Sequence, residues 1–210
     1  MTNATSHGTI EVDATGRVEV APDEAIVRLT VATDAKTAAE ASSRNATIAK
    51  AVLDAVSSQP NHGVTTGGLG LHPITRYDQE TRTTTIEGYR ATNRVTVKTK
   101  VGYAAQVFDA GVAAGANESS GIEFNVQDPA PHRDQALTRA VDRAGTEAKV
   151  VATAAGLTIV GVESIDIDPE GGPPVLRSAA LRAEAATPVN PDDLSISASV
   201  RIKYRTQPGS

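Results

Sequence analysis

Apolar and polar positions alternate with two different periods along this chain, and the switches between them mark its elements. Ile10, Val12 and Ala14, then Val18 and Val20, alternate with polar residues on either side of Gly16. That pattern predicts a first strand with a bulge at the glycine. Pro22-Asp23 reads as a turn and Ala25 to Thr33 as a second strand, and the short connection predicts that the two are antiparallel neighbours. From about Lys36 to Ser58 the period is helical, with Ala38, Ala41, Ile48, Val52, Ala55 and Val56 on one side. Val64 to Ile74 is extended again, Tyr77 to Arg82 is a polar hairpin loop, and Thr84 to Val101 is the clearest strand. In it Tyr89, Ala91, Asn93, Val95 and Val97 face one way, and Arg90, Thr92, Arg94, Thr96, Lys98 and Lys100 the other. A short helix from Tyr103 to about Ala114 is expected to turn Val107, Phe108 and Val112 inward and to stop at Gly115.

The stretch from Gly115 to Asp168 organises the rest. Ile122, Phe124 and Val126 alternate with polar residues as one strand, and Asp128 stands where it favours a helix start after Pro129. The helix runs from about Pro131 to Ala155, with Ala136, Leu137, Ala140, Val141, Ala144, Ala148, Val151, Ala152 and Ala155 in one stripe. A stripe made mostly of alanine predicts that this helix lies close against a sheet. Leu137 is the large residue in its first half, so its truncation to Ala is expected to cost ~2–5 kcal/mol. Gly156 ends the helix, and Leu157 to Asp168 returns as a strand. Residues 169–193, rich in Ala and Pro without periodicity, read as a flexible loop or arm, and Leu194 to Arg205 closes the fold. The order is ββα, ββα, βα, β, loop, β. It predicts one α+β domain over residues 1–210: an antiparallel or mixed sheet with the long Ala-rich helix and one or two further helices packed on it.

Composition narrows the function classes. Net charge is −5 with no cysteine, and aromatic content is 3%. No basic footprint for nucleic acid is present, and thiol catalysis, disulfides and thiolate metal sites are excluded. No apolar run is long enough to span a bilayer, and the first residues lack the basic and apolar regions of a signal peptide, so a cytoplasmic protein is expected. His7, His62, His72 and His132 are scattered among loop-like positions and read as surface histidines rather than metal ligands. Gly67-Gly68-Leu69-Gly70 lacks the Lys-Ser/Thr and the helix of a phosphate loop and reads as a bulged or closely packed strand. Asp166, Asp168 and Glu170 read as a solvated strand face rather than a calcium edge, and no Ser-His-Asp set or nucleophile elbow is present. Asn3, Asn45 and Asn117 head glycosylation sequons, which matter only in an exported protein.

The order of several short motifs resembles the SIMPL domain family, also known as domain of unknown function 541. They are Gly16-Arg17-Val18, Pro22-Asp23-Glu24-Ala25, Gly88-Tyr89-Arg90-Ala91-Thr92-Asn93, Gly115-Ala116-Asn117, Arg133-Asp134-Gln135-Ala136, Ala155-Gly156-Leu157 and Ser197-Ala198-Ser199-Val200. The resemblance implies a mostly exported bacterial protein with links to oxidative-stress tolerance, and it carries no catalytic residue. With no catalytic, cofactor or metal residue to name, the expected role is non-enzymatic: binding another protein or assembling with itself. The row Arg90, Arg94, Lys98 and Lys100 is the candidate docking face. The alternative is a small-molecule or metal binder using a pocket between sheet and helices.

Overall fold

The structure, a computed structural model, describes residues 8–168 and 191–209. Its elements are β1 (Gly8–Val20), β2 (Glu24–Ala35), α1 (Ala38–Ser57), β3 (Gly63–Asp78), β4 (Thr83–Lys100), α2 (Ala104–Ala113), β5 (Glu118–Asn125), α3 (Ala130–Ala154), β6 (Leu157–Ile167) and β7 (Leu194–Pro208). This is the α+β order that periodicity predicts, with the strands divided between two antiparallel sheets, β1-β7-β6 and β3-β4-β2-β5. The described residues group into two compact units, one around each sheet. Most of the arm expected at 169–193 lies outside the described residues.

In the unit spanning residues 22–125, β2 is an inner strand between β4 and β5. Its alternate residues Ala25, Val27, Leu29 and Val31 are buried under α1 and α2, against Val52, Val56, Val95, Val97 and Val107. The expectation that β1 and β2 pair is therefore wrong: β2 already has a neighbour on each side, and β1 pairs with β7 instead. α1 starts at Thr37, whose hydroxyl accepts from the Glu40 N–H, the Thr-x-x-Glu arrangement that satisfies an otherwise unpaired helix-end donor. Val112, expected inward on α2, is 46% exposed. Gly111 takes the buried position, because any Cβ there would overlap the Leu29 side chain.

In the other unit α3 covers one face of β1 and β7. Ala136, Ala140, Ala144, Ala148 and Ala152, each four residues apart, are the buried positions of the helix. The last four pack on Ile10, Val12, Ala14, Val200, Ile202 and Tyr204, and Ala136 on Val18 and Ala198, the close approach that an alanine stripe predicts. Val141 and Val151 point outward, so the stripe is narrower than periodicity suggests. No bulge occurs at Gly16: β1 and β7 keep one register from Gly8↔Thr206 to Val20↔Leu194. The glycine serves packing instead, since a Cβ there would overlap the Ala136 carbonyl and lie 2.6 Å from the Ala140 nitrogen. Gly156, at φ 67, follows the last helical turn as expected.

Candidate functional site

β4 carries both of its predicted faces. Ala91, Val95 and Val97 are buried on the helix side, which leaves Arg90, Arg94, Lys98 and Lys100 on the open side of the four-stranded sheet. Across β2 these four stand opposite Asp34, Thr30, Ile26 and Glu24. Across β3 the first three stand opposite His72, Gly67 and Gly63. The four cations are not equivalent. Arg90 donates through Nε and Nη2 to the two Asp34 oxygens, 2.8 Å each, and these hydrogen bonds hold the Asp34 carboxyl below its ordinary value. Arg28, on the same face, is ion-paired with Glu123. The Glu24 carboxylate is buried and meets His62 Nε2 at 2.8 Å and Asn125 Nδ2 at 3.5 Å. Asp34, Glu123 and Glu24 are thus engaged, while Arg94, Lys98 and Lys100 have no ion-pair partner among the described residues, and neither does Glu118, which stands opposite Thr30 on β5 and acts electrostatically on Arg90. With Glu118 counted, Arg28, Arg90, Arg94, Lys98 and Lys100 still outnumber Asp34, Glu24, Glu118 and Glu123 by one on this face, on a chain whose net charge is −5.

The other sequence candidates fall elsewhere. His62 belongs to the Glu24 pair, His72 sits on β3 opposite Arg90, and His132 is in the first turn of α3, while His7 lies outside the described residues. Among the described residues no group of three or more His, Asp or Glu is placed to hold a metal ion. Asp166 faces Arg201 across β6 and β7, and Arg201 donates to Asp13 at 2.7 Å. The glycine run is a bulged strand as expected, with the β3–β4 register shifting between Gly67 and Gly70. Asn45 is 1% exposed and donates to the Val31 and Ala91 carbonyls, 2.9 Å each, so its sequon is closed to glycosylation. Asn117 exchanges two 2.8 Å hydrogen bonds with the Ala32 backbone. A cavity of about 350 Å³ beside Asp34, Lys36, Ile74 and Glu87 has its carboxylates paired with Arg90 and Arg76, and one of about 460 Å³ beside Asp13, Asp166, Ser199 and Arg201 holds the Asp13–Arg201 pair. Sequence reasoning missed the Glu24–His62 pair and the two glycines facing Arg94 and Lys98. The period-two spacing Gly63, Thr65, Gly67 was the signal available for the latter.

The family model for SIMPL, described as a protein of unknown function (DUF541), matches residues 10–204 and so runs through both units. The chain belongs to the SIMPL family. This SIMPL protein is also similar to proteins described as 26 kDa periplasmic immunogenic protein in Brucella melitensis biotype 1 and in Brucella abortus strain S19. Each is 30% identical over 189 residues, covering 86% of this chain and 76% of the relative. Neither the family description nor these names suggests an enzymatic activity. The relatives give no support to a cytoplasmic location. Among the described residues no helix is long and apolar enough to cross a membrane.

Proposed function

We propose that this SIMPL protein is a non-enzymatic interaction domain that docks an acidic protein partner on the open face of its four-stranded sheet. The observation that carries the reading is the unpaired set Arg94, Lys98 and Lys100, left positive after Asp34, Glu123 and Glu24 are engaged by Arg90, Arg28 and His62, with Glu118 the one free acid beside them among the described residues. Such a face attracts acidic partners and loses affinity as salt rises. The periplasmic naming of the relatives makes the bacterial periplasm the compartment we assign. Fluorescence anisotropy with labelled poly-L-glutamate, at low and at physiological salt, tests the docking face. Wild type is expected to bind with salt-weakened affinity, and Arg94→Glu/Lys98→Glu to lose at least about tenfold. Equal binding by wild type and variant would contradict the reading.

Self-assembly is favoured by a separate observation. β1 is an outer strand that pairs with β7 over its whole length with neither a bulge nor a proline, two of the devices that commonly blunt an edge.

A further inference from the structure

β3 is an outer strand of its sheet, and the register sets a glycine on it opposite each of two unpaired cations: Gly67 opposite Arg94 and Gly63 opposite Lys98. The fold requires glycine at neither place. A Cβ on Gly67 would meet nothing within 4 Å, one on Gly63 only the Lys98 Cβ at 3.9 Å, and neither residue has a positive φ. Glycine inside a strand weakens it, so its presence here calls for another reason. Gly16 and Gly111 differ, because added side chains there would strike neighbours. Between Gly63 and Gly67, Thr65 is the one residue of β3 directed to this face.

The same five residues are the part of the edge able to pair. From Gly63 to Gly67 the β3 register is unbroken, and Thr65, Thr66 and Gly67 are exposed. Beyond them the bulge before Gly70 and Pro73, which has no N–H to offer, blunt the strand.

Resting on the docking face proposed above, we infer that Gly63–Gly67 accepts an extended acidic segment of a partner protein as an added strand, with carboxylates four residues apart reaching Lys98 and Arg94 over the two glycines. Four residues of strand span about 13 Å, so an incoming strand repeats the spacing of Arg94 and Lys98. Such a strand would lie roughly 9.6 Å from β4, two strand spacings away, which extended Glu and Arg or Lys side chains bridge when nothing stands between them. Main-chain pairing supplies affinity and the two ion pairs set the register. The occupant is acidic because Arg94 and Lys98, the cations beside this edge, are unpaired, and the face keeps a positive surplus even with Glu118 counted.

The test uses the whole chain and a labelled peptide amide, Thr-Glu-Val-Thr-Val-Glu-Thr, beside its Gln-for-Glu counterpart and poly-L-glutamate. The Glu peptide is expected to bind at least about tenfold tighter than the Gln peptide, and Gly67→Thr and Arg94→Glu each to lose about tenfold or more. Gly67→Thr sets its Cβ in open space, so its melting temperature is expected to hold, separating a blocked edge from a damaged fold. If peptide and poly-L-glutamate bind wild type and Gly67→Thr alike, strand addition is wrong while the docking face stands. If neither acid binds wild type, both fail. If the peptide does not bind and Arg94→Glu dissociates an oligomer seen by light scattering, a second copy fills the edge and a separate acidic partner is excluded.

Discussion

Asn45 shows how one side chain settles a question its sequence motif raises. On α1 it occupies a core position among Ala41, Ala49, Val52 and Val56, and its amide donates to a carbonyl on β2 and one on β4. The helix is thereby tied to two strands at once. Asn45→Ala removes both hydrogen bonds to these carbonyls, so a stability loss of about 1–3 kcal/mol is expected in urea titration. A loss within about 0.5 kcal/mol, ordinary for a surface change, would show that the bonds contribute nothing net. The Asp34–Arg90 pair gives a prediction in pH. The folded Asp34 pKa is lowered, so the pair's contribution is present above the unfolded carboxylate pKa and fades as pH falls through the folded one. Arg90→Met is expected to move the Asp34 titration upward, to its ordinary value, in carboxyl NMR. An unmoved midpoint would mean that Arg90 is not the cause.

Among elements, α3 makes the sharpest energetic statement. Its buried alanines are all at zero or near-zero exposure, whereas Leu137 is only partly buried at the margin of the same stripe. Enlarging the stripe should therefore harm more than trimming its rim. Ala144→Leu is expected to cost about 3 kcal/mol by overpacking, against about 2 kcal/mol for Leu137→Ala, the low end of the sequence-based range. The reverse ranking by urea unfolding would show that the helix and sheet are loosely seated. Element order and type were legible because period-two and helical spacings are local, and the two faces of β4 followed directly from alternation. Pairing was not. That β1 joins β7 depends on residues 174 (Val20 to Leu194) to 198 (Gly8 to Thr206) positions away, and that β2 has two neighbours depends on β4 and β5. The bulge expected at Gly16 and the inward Val112 misled for a related reason: close approach of helix and sheet at Gly16 and Gly111 decides both, which a single strand or helix pattern does not record. The docking row was readable as four cations. Which of them is engaged was not, because Asp34 lies on another strand.

For the whole molecule, the 22–125 unit is inserted between β1 and the Val126 end of the other unit, and its own ends are adjacent: Glu24 pairs with Asn125, and the Asp23 N–H donates to the Asn125 carbonyl at 3.2 Å. Chain ends brought together by a ladder let an insertion keep its own core. That core supports a sheet with one buried face and one charged open face, and the account turns on the latter. The most direct test is to map the backbone amide shifts of the labelled protein as the acidic heptapeptide is added. Binding at the proposed place predicts perturbations concentrated on residues 63–67 and 94–98. Shifts confined to α3 or β6, or no shifts at all, would contradict it.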